Sequence, residues 1–109
     1  MQQLTTQCLT EALSLSDNGQ LMINLPLPAT PLAFTRLCEG LGKVFDQPPT
    51  ELEWGADRAQ ARYLLPDMDL LLQAEWLCEA MWLTPSGYTQ DYQNATEALQ
   101  ALLCRVANE

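Results

Sequence analysis

Few residues in this chain have the type and spacing to do chemistry. Glu75 and Glu79 would share one face of an extended segment, two pleats apart, and paired carboxylates can divide acid and base roles. Arg58 and Arg62 lie in the preceding segment, so solvated charge pairing accounts for the same carboxylates without catalysis. Asp67 and Asp69 flank Met68 and could touch a hard cation, but such an ion takes about six or more oxygen ligands. Turn formation is the simpler role for them. The four cysteines, Cys8, Cys38, Cys78 and Cys104, are widely separated, and the chain has no histidine. Without close ligand spacing or histidine there is no zinc signature, no redox pair and no Ser or Cys triad. The thiols are expected to be free and structural. The expectation is therefore no catalytic residue, no metal and no cofactor.

The most distinctive short string is Trp54-Gly55-Ala56-Asp57-Arg58. Its Gly-Ala-Asp stretch suits a tight connection, with Asp57 free to cap or pair. Trp and Arg are also the side chains most often found at interface hot spots. Trp54 and Arg58 are accordingly candidate interaction residues.

Extended segments must position these groups. Arg58 to Leu65 alternates, with Ala59, Ala61, Tyr63 and Leu65 on one row. The run 70–82 puts Leu70, Leu72, Ala74, Trp76, Cys78, Ala80 and Trp82 on one apolar row. A period of two with one clean face marks a half-buried strand. A turn at Pro66-Asp67-Met68-Asp69 would place Tyr63 opposite Leu72, Ala61 opposite Ala74 and Ala59 opposite Trp76. Arg62 would then face Gln73 with Glu75 on the diagonal. The rival reading is a helix, because Leu70, Leu71, Ala74, Leu77, Cys78 and Met81 also sit at helical spacing. A helix explains this run alone, whereas an antiparallel pair explains both runs.

Around this pair, residues 4–25 read as a β-hairpin closed by Asp17-Asn18-Gly19. Thr30-Pro31 starts a helix, and Phe34, Leu37, Cys38, Leu41, Val44 and Phe45 form its apolar stripe. Gly40 and Gly42 cost that helix about 1 kcal/mol each against Ala, which close approach to the sheet would explain. Glu51–Trp54 reads as a short strand and 84–94 as a polar loop. Asn94 with Glu97 has the spacing of a capping box before a helix running to about Ala107. The expected fold is α+β: one domain, 1–109, with an antiparallel sheet of about five strands, two helices on one face and the order ββ-α-βββ-α. Trp76 and Trp82 are expected in the core. Leu77, Met81 and Leu83 then form a row on the opposite, open face, and an apolar row on an open sheet is commonly an association surface.

The Trp54–Arg58 string, followed by an alternating strand and a second strand ending in Trp82-Leu83, resembles an uncharacterised bacterial family. That family has about this length and is catalogued as a domain of unknown function. The resemblance covers residues 51–83. Members often carry His after the Arg, where this chain has Ala59, so no His-based role carries over. The resemblance implies a fold and no activity.

Composition narrows the remaining classes. The 109 residues carry 14 acidic and 5 basic side chains, a net charge of −9. That charge repels phosphate backbones, so nucleic acid is not an expected ligand. Gln73, Glu75 and Glu79 interrupt the apolar stretches, so no membrane span is expected. Met1–Thr6 has neither a basic nor an apolar region, and the expected location is the cytoplasm. The function expected is a non-enzymatic protein–protein interaction domain, working as a homodimer or with a protein partner through Trp54, Arg58, Leu77, Met81 and Leu83. The alternatives are a small-ligand-binding accessory protein with a pocket near Trp54 and Arg58, or an acidic protein similar to secretion chaperones.

Overall fold

The structure is a computed structural model that describes residues 5–107. Among these residues the elements are α1 (Thr6–Glu11), β1 (Leu13–Leu15), β2 (Leu21–Ile23), α2 (Pro31–Phe45), β3 (Thr50–Trp54), β4 (Arg58–Leu64), β5 (Met68–Glu75), β6 (Ala80–Tyr88) and α3 (Ala95–Ala107). Six strands make one antiparallel sheet in the order β1-β2-β6-β5-β4-β3. The class is α+β as expected, with one more strand and one more helix than the sequence suggested.

The two long helices follow from their caps and stripes. The Thr30 side chain accepts from the Ala33 N–H at 3.1 Å and Pro31 occupies the first turn. The whole apolar stripe from Phe34 to Phe45 is buried. The Asn94 side chain accepts from the Glu97 N–H at 2.9 Å, and Ala98, Leu99 and Leu102 are buried on α3.

The extra helix comes from the segment expected as the first strand. Thr5 does not extend a strand; its hydroxyl accepts from the Cys8 N–H at 3.1 Å and caps α1. The expected hairpin survives only as β1 and β2 around Gly19, which takes φ +76°. Leu4, its expected first residue, lies outside the described residues.

The largest correction is at 70–83. This run is neither one strand nor a helix. It is the end of β5, a turn at 76–79 and the start of β6, which pairs back on β5 with Ala74 opposite Met81 and Glu75 opposite Ala80. The turn contains no Gly, Pro, Asn or Asp, so it lacks the usual turn signals. Glu79 takes φ +50°, a region that non-glycine residues enter at some cost. A hydrogen bond within the turn, from the Glu79 N–H to the Trp76 carbonyl at 3.2 Å, and two to other parts of the chain hold it. The Trp76 N–H donates to the Asp57 carbonyl at 3.0 Å, and its indole N–H donates to the Pro28 carbonyl at 3.2 Å.

Reversing the chain with four turn residues exchanges the faces beyond it. Met81 and Leu83 turn into the core, while Trp82 turns to the open face, half-buried between Gln73 and Met22. The open apolar row Leu77–Met81–Leu83 therefore does not exist in this fold.

The β4–β5 pairing is antiparallel as expected but slipped by two residues. Tyr63 faces Leu70, Ala61 faces Leu72 and Ala59 faces Ala74. The turn is tighter than expected, closed by the Leu65 N–H on the Met68 carbonyl at 2.9 Å. A slip of two keeps every side chain on its face, so the core row is right although the partners are wrong. Arg62 now faces Leu71 and lies 3.3 Å from Glu51 and 3.5 Å from Asp69. The expected polar loop begins as strand, since β6 runs on to Tyr88. The register shifts beside Pro85, which has no N–H to give a ladder.

The core is continuous. Leu21 and Ile23 of β2, Tyr63 of β4, Leu70 and Leu72 of β5, and Met81 and Leu83 of β6 pack against Leu9, α2 and α3. The helices cover one face of the sheet. No helix among the described residues is long and apolar enough to cross a membrane.

Candidate interaction surface

The Trp54–Arg58 string is a tight β3–β4 connection. The Gly55 N–H donates to the Arg58 carbonyl at 2.8 Å. A Cβ on Gly55 would stand 3.1 Å from that carbonyl oxygen, so the position favours glycine. Trp54 pairs with Ala59 at the sheet edge and packs on two other rings. Its centroid is 5.9 Å from Phe34 of α2 and 5.0 Å from Trp76, the latter at an interplanar angle of 70°. Asp57 contributes its backbone carbonyl to Trp76, as described above.

Three loops thus meet at one end of the sheet: the β3–β4 turn, the β5–β6 turn and the segment before α2. Large apolar side chains stand in water there. Leu77 is 84% exposed, Leu32 60% and Trp54 40%. Arg58 is exposed and has no ion pair among the described residues. A depression of about 280 Å³ beside it is lined by Glu53, Trp54, Gly55, Arg58, Ala59 and Gln60.

Of the five interaction residues expected from sequence, the fold brings Trp54, Arg58 and Leu77 to this end. Met81 and Leu83 are 1% and 0% exposed and belong to the core. Trp76 and Leu32 were not anticipated as site residues. Trp76 was expected in the core and is instead half-buried at its border. Leu32 lies off the apolar stripe of α2, which is the sequence signal that could have found it. The carboxylate pair is not built either. Glu75 ends β5 and Glu79 is in the turn. Glu75 instead accepts from the exposed Cys78 thiol at 3.4 Å, an interaction that holds that thiol above its ordinary value.

The cysteines are free and occupy different settings: Cys8 half-buried, Cys38 buried, Cys78 and Cys104 exposed. Burial pushes the Cys38 thiol up to about 12, which removes it as a nucleophile near neutral pH. Among the described residues no group of three or more Cys, Asp or Glu side chains could hold a metal ion.

A second polar cluster lies by the β4–β5 turn. Asp67 accepts from the Tyr92 hydroxyl at 2.5 Å and from Arg105 at 3.1 Å, tying the end of the 89–94 loop and α3 to the turn. Burial pushes the Asp67 carboxyl up, but the Tyr92 hydroxyl and the Arg105 guanidinium together bring it below its ordinary value. A carboxylate lowered on folding stabilises the fold above its unfolded value, about 3.9. That contribution is lost as pH falls through the lowered folded value. Asp67→Asn is expected to unfold more easily than the parent at neutral pH and to converge with it in acid. Urea unfolding across pH measures this, and a constant gap between the two proteins would refute it.

No known family, curated protein or solved structure matches the chain.

Proposed function

We propose that this protein is a non-enzymatic protein–protein interaction domain, and that it holds its partner at the Trp54 end of the sheet. The observation that carries this reading is the exposure there of Leu77, Leu32 and Trp54 beside Arg58, which has no ion pair among the described residues. Apolar side chains gathered at one exposed end mark an association surface, and Trp with Arg is the pairing enriched at interface anchors. The partner proposed is a different protein. The homodimer rested on an open row of which Met81 and Leu83 are in the core. The small-ligand reading is less well supported, because Glu53, Trp54, Gly55 and Arg58, which line most of the depression, are exposed, whereas ligand pockets enclose their occupant. The cytoplasm is the compartment proposed, since the four cysteines are unpaired and reducing conditions keep them so.

The test is a photo-crosslinking side chain placed at Leu77 and, in a separate protein, at Leu64, which is 55% exposed on β4 at the Asp67 end of the sheet. In the cell that makes the protein, a single adduct with another protein is expected from position 77 and none from 64. Equal labelling from both positions would sink the proposal. An adduct of twice the chain's own mass would restore the homodimer and overturn the different partner.

A further inference from the structure

We infer that the segment bound at the Trp54 end is cationic as well as apolar: a stretch of the partner carrying Lys or Arg beside large aliphatic side chains. This rests on the interaction reading above and specifies the partner's chemistry. Two independent features of the same end support it. The first is aromatic. Trp54 presents two-fifths of its surface to water, and Trp76 and Phe34 hold its ring in place. A guanidinium or ammonium group is attracted to the face of an indole, and Trp is the best ring for this.

The second is charge. The turns that meet here and the strand ends beside them carry Glu53, Asp57, Glu75 and Glu79, against Arg58, which faces Glu75 across the β4–β5 pair, and, one turn beyond Leu32 on α2, Arg36. None of these six is in an ion pair among the described residues. Glu53 accepts from the Gln60 amide at 3.0 Å and Glu75 from Cys78, so both are held in place without being neutralised. The molecule as a whole has a net charge of −9, so an acidic segment would be repelled at long range and a basic one steered in. Leu77 and Leu32 supply the apolar contact that charge alone does not. Without them, attraction between solvated groups is worth little.

Fluorescence anisotropy with short labelled peptides tests the inference on the full chain. One peptide is built from Arg, Leu and Ser. A second replaces each Arg by Glu, and a third replaces each Leu by Ser. Only the first is expected to bind, with affinity falling as salt screens the charges. Leu77→Ser is expected to weaken it by about tenfold, the loss typical of truncating an interface anchor, whereas Leu64→Ser leaves it unchanged. The double variant Asp57→Asn, Glu79→Gln is expected to weaken binding and flatten its salt dependence. Unchanged urea midpoints establish that each variant is folded. Equal binding of the Glu peptide, or a Leu77→Ser variant that binds as the parent does, would overturn the cationic partner. A crosslinked partner at position 77 together with no binding of the Arg peptide would refute the cationic character alone. Absence of both would refute the interaction reading as well.

Discussion

Tyr63→Ala is expected to lower the unfolding free energy by about 3–5 kcal/mol, the usual cost of truncating a buried aromatic. Tyr63 is fully buried on β4. Its ring meets Phe45 edge-on at 5.3 Å, and its hydroxyl donates to the Cys38 carbonyl at 2.7 Å. One residue therefore joins the sheet to the middle and the end of α2. Two variants separate its contributions. Tyr63→Phe keeps the ring and leaves the Cys38 carbonyl without that donor, at a cost of about 1 kcal/mol. Trp82→Ala, at a residue that the sequence pattern placed in the core, is expected to cost less than Tyr63→Ala. Its side chain is half-buried on the open face, where no helix collapses with it. Urea denaturation of the three variants gives the order. A Trp82→Ala midpoint below that of Tyr63→Ala would mean that the faces of the sheet are reversed. Burial first, and then the neighbouring Cys38, raise the Tyr63 hydroxyl. An alkaline spectrophotometric titration should accordingly show the Tyr63 hydroxyl resisting ionisation until the protein unfolds.

Gly42→Val is the second large effect expected, a destabilisation of about 1–3 kcal/mol from forcing atoms into a filled space. A Cβ at Gly42 would stand 2.7 Å from the Gln47 carbonyl oxygen and 3.1 Å from Cδ of Pro49. That oxygen is main chain. Its residue is held by its own N–H donating to the Gly42 carbonyl at 2.9 Å, and Asp46 turns the chain through φ +59° just before it. The clash has no flexible side chain to relieve it. Glycine here serves the return of the chain over the end of α2 rather than an approach of the helix to the sheet, as the sequence suggested. Gly42→Ala makes the sharper comparison. Helix propensity alone would stabilise it by about 1 kcal/mol, so a net loss, read by thermal or urea unfolding, isolates the close approach. A gain in stability would show that residues 47–49 can move aside.

Much of the architecture is legible locally. Thr30-Pro31 and Asn94 cap helices whose apolar stripes face the core, and those stripes need only their own residues to be recognised. The alternation in 58–65 and 70–74 assigns the correct faces, because a slip of two residues preserves the parity of a strand. Trp54 and Arg58 are likewise identifiable from residue type alone. The β5–β6 turn is different. Apolar residues alternate straight through Trp76, Cys78 and Ala80, and nothing at 76–79 has a conformational preference for reversing the chain. The start of the reversal is anchored by partners distant in sequence, the carbonyls of Pro28 and Asp57 that take the two Trp76 N–H groups, and the Glu79 N–H closes the turn on the Trp76 carbonyl at 3.2 Å. Because side-chain direction in a strand depends on parity, this one turn decides which apolar residues are core and which are surface. The amino-acid sequence by itself determined the class of fold, the two long helices and the aromatic and cationic groups available for contact. Only the tertiary structure decided that Met81 and Leu83 are buried and that Leu77 stands at the Trp54 end of the sheet, because no residue preference at 76–79 marks the turn that long-range hydrogen bonds anchor at Trp76.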